Sequence, residues 1–185
     1  MLEGCMRENQ VKTMVLVAVM AAVISVLGPL TVPIGPIPIS LCNFGILMTI
    51  YILGMKKGTV SVLIYLLIGL VGVPVFSGFS SGPAKLLGPT GGYLIGYVPM
   101  ALIAGYFIEK YSRKFIPGLL GMILATAVLY LLGTLWLAKM AGMSFQAALA
   151  AGVIPFIGVD LAKMVVCAVV GPLIYRTLKR GFLVD

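Results

Sequence analysis

Residues 39–76 read ISLCNFGILMTIYILGMKKGTVSVLIYLLIGLVGVPVF. Two apolar runs flank one adjacent pair of lysines, Lys56 and Lys57, and no other charge interrupts them. A helix that crosses a bilayer needs roughly 20 mostly apolar residues. The stretch is too long for one crossing, and its charges fall where a single crossing would have its costly centre. It is therefore read as two spans, about 39–55 and 58–76, turning at the lysines.

The same test, carried outward, finds four more runs: about 12–30, 91–108, 115–138 and 153–178. The expectation is an all-α integral membrane protein, a six-transmembrane-helix bundle forming one domain over residues 1–185. The first run is too long for the usual apolar core of a signal peptide, and no small-x-small cleavage pattern follows it. It is read as a permanent helix.

Composition agrees with this reading. The 185 residues are 61% hydrophobic and only 10% charged, against about a quarter charged in soluble domains. Most of such a surface cannot face water.

The distribution of charge sets the orientation. With a cytoplasmic N-terminus, ten basic residues fall inside: Arg7, Lys12, Lys56, Lys57, Lys110, Arg113, Lys114, Arg176, Lys179 and Arg180. Lys85 and Lys139 fall outside, and Lys163 lies within a span. Cytoplasmic loops carry the excess of lysine and arginine, so both termini are predicted to be cytoplasmic. Five or seven spans would break the alternation.

Several function classes are excluded or weakened. The net charge of +8 sits in small clusters between apolar runs, with no basic stripe interleaved with aromatics, so no nucleic-acid partner is expected. Histidine is absent, which removes the commonest general base and metal ligand. Cys5, Cys42 and Cys167 are odd in number and irregular in spacing, fitting neither a disulfide framework nor a zinc site. There is no phosphate-binding loop of the G-x-x-x-x-G-K-[ST] type, and Asp160 is the one carboxylate inside a span. Neither an enzyme nor a self-powered pump is expected, nor any cofactor.

The outer loops are unusual. Residues 29–38, PLTVPIGPIP, hold four prolines and favour extended backbone. Residues 74–92, PVFSGFSSGPAKLLGPTGG, are rich in glycine and proline but not very polar. Such a segment is either an ordinary connector or one that folds back to line a cavity.

Asp160 and Lys163 are the sharpest feature. Three apart on one helix, they share a face, and each costs about 2.5–3.5 kcal/mol at a span centre. With a helix starting near Pro155, both lie within reach of the outer side. Such a pair either satisfies itself or belongs to a site; the desolvation cost favours a site. Asn43, near the outer end of the second span, can donate and accept, toward a ligand or a neighbouring helix. Tyr93, after Gly91 and Gly92, is a site residue or an interfacial anchor. Trp136 and Tyr130 are read as anchor and packing. On the first span, Ala18 and Ala22 allow close helix approach, either within the bundle or to another subunit.

At these residues the chain resembles the BioY family, the biotin-specific S components of energy-coupling-factor transporters. The segments are VPIGPIPISLCNFGILM (32–48), YLLIGLVGVPVFSGFSSGPAKLLGPTGGYLIGY (65–97), IPFIGVDLAKMVV (154–166) and the first helix with its alanines. One departure is Cys42-Asn43, where the family commonly has a glutamine-threonine pair. The resemblance implies a six-helix bundle with substrate near the outer surface, closed by the loop after the first helix. It implies that Asp160 and Lys163 contact biotin. Ala18 and Ala22 would contact a transmembrane coupling subunit, and two ATPase subunits would supply energy. The setting would be the plasma membrane of a prokaryote.

Biotin has a flat ureido group, an apolar ring and a carboxylated chain. Asp160 and Lys163 are expected to serve one end with Asn43 nearby. The other end would reach Thr90, Gly91, Gly92 and Tyr93, with Lys85 available to a carboxylate. The alternative function is a stand-alone or proton-coupled carrier of biotin or a small carboxylate.

Overall fold

A computed structural model describes residues 2–32 and 38–181, with side chains from residue 10 onward. Residues 33–37 of the first proline-rich loop, the side chains of Cys5 and Arg7, and residues 182–185 lie outside the described part. The elements run α1 (Leu2–Leu27), β1 (Thr31–Val32), β2 (Ile39–Ser40), α2 (Cys42–Val71), α3 (Pro83–Leu87), α4 (Gly91–Lys110), α5 (Phe115–Ala141), α6 (Phe145–Gly152) and α7 (Ile157–Arg180). The chain is mostly helical. Among the described residues, α1 from Gln10, α2, α4, α5 and α7 are long and apolar enough to cross a membrane.

Although α2 spans 30 residues, Gly54 inside it is not helical, at φ 80° and ψ −173°. A Cβ on Gly58 would lie 3.1 Å from the Ile50 Cα. In a straight helix, residues eight apart are separated by about 12 Å. Near the other end, the Cys42 thiol meets the Tyr65 hydroxyl at 3.3 Å. The chain therefore reverses at Gly54, and α2 is a helical hairpin with arms 42–53 and 55–71. The break is a single residue, two positions before the expected turn, and Lys56 and Lys57 open the second arm.

Glycine is required at the reversal, because φ near +80° with ψ near 180° is essentially glycine-only. A side chain there would also strike the Glu109 carboxylate. A hairpin this tight leaves backbone groups without helical partners. The end of α4 and the turn after it supply partners for two of them. Glu109 Oε1 accepts from the Met55 N–H at 2.8 Å, and Arg113 Nε donates to the Tyr51 carbonyl at 3.0 Å.

The core lies between the α2 hairpin, α4, α5 and α7, around buried Ile46, Tyr51, Tyr65, Met100, Met122 and Cys167. On its inward face α1 offers Val17 and Met20 to Ile52 and Leu53. Its exposed face carries Val15, Ala18, Val19 and Ala22. A short antiparallel ladder pairs Thr31 with Ser40 and Val32 with Ile39; most of the stretch read as extended lies outside the described residues.

Two short helices were not expected. In the 74–92 loop, α3 begins with proline at its first position. In the loop after α5, the Ser144 hydroxyl caps α6 by accepting from the Ala147 N–H. Turns at 153–156 delay α7 to Ile157, so Asp160 falls in its first turn.

Candidate functional site

A cavity opens where β2, the start of α2, α4, α5 and α7 converge. Pro38 and Ser40 form one edge, followed by Cys42 and Asn43 at the start of the first α2 arm and Tyr65 from the second. Tyr93, Leu94 and Tyr97 come from α4, and Leu129 and Tyr130 from α5. Gly152, Phe156, Asp160 and Lys163 complete the far wall. Ser77 and Thr90 line it as well, so the glycine-rich 74–92 segment folds back into the protein instead of serving as a mere connector.

Within this cavity, Lys163 Nζ lies 2.9 Å from Asp160 Oδ1, with only 10% and 8% of the two side chains exposed. The pair does not stand alone. Tyr130 donates to Asp160 Oδ2 at 2.7 Å, and Lys163 donates to the Ser40 carbonyl at 2.7 Å. A buried ion pair is tolerable when such further bonds satisfy its remaining groups. The first-turn position of Asp160 adds the favourable field of the α7 N-terminus. An ammonium has three donors; the Asp160 and Ser40 bonds use two of them.

Asn43 is 5% exposed, and neither its Oδ1 nor its Nδ2 has a partner among the described residues. An orphaned buried amide costs its full desolvation penalty, about 1–3 kcal/mol per group. A primary amide facing a cavity recovers that cost when a ligand brings a donor and an acceptor.

The other expected site residues fall into two groups. Tyr93 and Thr90 line the cavity. The Tyr93 hydroxyl donates to the Gly152 carbonyl at 3.1 Å, joining α4 to the end of α6. Gly91 and Gly92 are buried but do not line it. A Cβ on Gly91 would overlap the Leu86 carbonyl, and one on Gly92 would overlap the Trp136 side chain. Both permit close packing behind the wall. Lys85 sits in α3, outside the lining, where partial burial lowers the pKa of its ammonium.

Sequence reading missed Tyr130, taken as packing, whose hydroxyl in fact fixes the Asp160 carboxylate. It also missed Ser40 and Tyr97. Tyr97 lies four residues after Tyr93, a spacing that puts both on one helix face and could have flagged it. The Trp136 indole N–H donates to the Gly88 carbonyl at 2.9 Å and ties the 74–92 loop to α5.

The site thus offers a carboxylate, an ammonium and an amide together with tyrosine rings and leucine. It suits a small molecule with a compact polar head and an apolar body. No group of three His, Cys, Asp or Glu among the described residues could hold a metal ion.

Comparison with known proteins places this architecture. The chain is 32% identical over 173 residues to the biotin transporter BioY2 of Lactococcus lactis subsp. cremoris (strain MG1363), covering 94% of this chain and 95% of that protein. It is 39% identical over 159 residues to a probable biotin transporter BioY of Pyrococcus horikoshii, covering 86% and 93%. Its fold matches a crystal structure of the S-component for biotin from an ECF-type ABC transporter. That match has a TM-score of 0.85 at 32% identity, over 91% of this chain and 93% of that one. The BioY family model matches residues 5–180, and the chain belongs to the BioY family.

Proposed function

We propose that this chain is the biotin-binding membrane subunit of an energy-coupling-factor uptake transporter. Its relatives are named as biotin transporters, and its fold is that of a biotin S-component. It is a transport component and not an enzyme. Biotin is its cargo, and no cofactor takes part.

The observation that carries the reading is the orphaned Asn43 amide on the same cavity as the Asp160–Lys163 pair. A ureido group has two N–H donors and one carbonyl acceptor. Carboxylate, ammonium and amide complement it, while Tyr93, Tyr97 and Leu129 suit an apolar ring. In this reading Asp160, Lys163 and Asn43 serve one end of biotin. Thr90 and Tyr93 face the rest, Gly91 and Gly92 let their helix pack close behind, and Lys85 awaits a carboxylate above. Calorimetry on the purified chain tests it. Asp160→Asn is expected to weaken biotin binding tenfold or more, about 1.4 kcal/mol; unchanged affinity refutes the assignment.

The proposed topology is six spans with both termini cytoplasmic, the two arms of α2 counting as separate crossings. The reversal at Gly54 supports the count, and the ten-to-two distribution of basic residues supports the orientation. Energy would come from two ATPase subunits through a transmembrane coupling subunit docked at Ala18 and Ala22, which are exposed on α1. The setting is the plasma membrane of a prokaryote.

A further inference from the structure

The Tyr65 hydroxyl sits where four parts of the chain meet. Tyr65 is buried in the second arm of α2 and lines the polar cavity. Its hydroxyl accepts from the Cys42 thiol of the first arm at 3.3 Å. It donates to the Val75 carbonyl of the 74–92 segment, also at 3.3 Å. The end of α1 closes in on the same point: a Cβ on Gly28 would strike the Val75 carbonyl and lie 3.0 Å from the Tyr65 hydroxyl. The ring makes a further attachment. Phe76, fully buried, stands edge-on to Tyr65 with ring centroids 5.6 Å apart. It fills the space that a side chain at Gly69, one turn along the same arm, would need. Backbone bonds complete the fastening. The Phe76 N–H donates to the Ser80 carbonyl at 3.0 Å, and the Gly82 N–H to the Gly69 carbonyl at 2.8 Å. The stretch 75–82 is thereby moored to the second arm, and Ser77 within it lines the cavity.

We propose that Tyr65 is a positioning residue for the cargo, holding the start of the first α2 arm and the Ser77 stretch at a fixed spacing. The chemistry requires a hydroxyl there. A phenol both donates and accepts, so one group serves the Cys42 thiol and the Val75 carbonyl together. Non-helical backbone inside a membrane protein must have its polar groups met from within, and Tyr65 meets one for the 74–92 segment. Phenylalanine keeps the ring against Phe76 but leaves that carbonyl without this donor. Cys42 is followed by Asn43, whose amide has no partner among the described residues. The spacing that Tyr65 sets is therefore the spacing between that amide and Ser77. Bonds within the protein set it, which lowers the ordering cost that binding must meet. The identity of the cargo rests on the biotin reading above; the fastening does not.

Two measurements on the full chain in detergent test this: amide hydrogen exchange resolved by mass spectrometry, and the rate of biotin release. In the unsubstituted chain without biotin, the Phe76 and Gly82 amides are expected to be protected about tenfold or more over an unfolded chain. Tyr65→Phe is expected to speed exchange of those two amides roughly fivefold and biotin release roughly fivefold, the loss of one buried hydrogen bond. Exchange within α4 and α5 is expected to stay unchanged. A rise throughout the chain marks general loosening and overturns the proposal. Faster release with unaltered exchange at Phe76 and Gly82 marks direct contact with cargo, and overturns it as well. Gly69→Ala pushes on the Phe76 ring while keeping the Tyr65 hydroxyl, and it decides the matter if Tyr65→Phe does not fold. It is expected to free the same two amides and to speed release; free amides with unchanged release refute the positioning role. Failure of the biotin reading shows differently, as no biotin bound by the unsubstituted chain, and the exchange comparison then judges Tyr65 alone.

Discussion

Lys163 and Asp160 could be found from their spacing alone, because charged residues inside an apolar run have few reasons to be there. Tyr130 could not. A tyrosine in an apolar helix has several uses, and only the packing of α5 on α7 brings its hydroxyl to Asp160. The Ser40 carbonyl was equally hidden, since it meets Lys163 across 123 residues of chain and carries no side-chain signal. Tyr130 is a positioning residue in this arrangement. Tyr130→Phe leaves Asp160 Oδ2 without that donor and frees the carboxylate to turn toward Lys163. A hydrogen bond to a charged group contributes about 1.5–3 kcal/mol. With part of that regained by rearrangement, biotin affinity is expected to fall roughly fivefold, about 1 kcal/mol. Calorimetry beside Asp160→Asn checks this. An unaltered dissociation constant, with the fold intact by circular dichroism, removes Tyr130 from the site.

Among the elements, the α2 hairpin separates what hydropathy can encode from what it cannot. The two apolar runs and the lysines between them announced a reversal, but its position depended on one residue able to take φ near +80°. Hydropathy is blind to that freedom, so the turn was placed at the charges and not at Gly54. The short helices α3 and α6 were missed for a related reason. They are five and eight residues long, too short for an apolar period to stand out. Gly54→Ala tests the hairpin directly. It forces alanine into a glycine-only region, at about 1–3 kcal/mol, and pushes the Glu109 carboxylate away from the Met55 N–H. The apparent melting temperature of the detergent-purified chain is expected to drop by roughly 2–12 °C, at about 2–4 °C per kcal/mol for a chain of this size. A melting curve that overlays the unsubstituted one contradicts the hairpin geometry.

For the whole molecule, composition and charge were informative because a bilayer imposes simple rules on length and orientation. The proposed assembly rests on family resemblance alone. Nothing in the physics of Ala18 and Ala22 distinguishes packing within the bundle from packing against another subunit. Their exposure on α1 argues against the first. Ala18→Trp adds bulk on the outer face of α1, away from the polar cavity. It is expected to leave biotin affinity within about twofold while lowering ATP-driven uptake in reconstituted vesicles by tenfold or more, an effect of about 1.4 kcal/mol on docking. Normal uptake by this variant excludes that face as the docking surface.

The bond from Lys163 to the Ser40 carbonyl also bears on timing. A solute passing between β2 and α7 must break it on the way in and again on the way out, so one barrier slows both arrival and escape. Residence is prolonged without any gain in equilibrium affinity. Because the acceptor is backbone, a change of side chain at position 40 leaves the tether's acceptor in place. In the transporter proposed above, release would then be the step on which outside work must act.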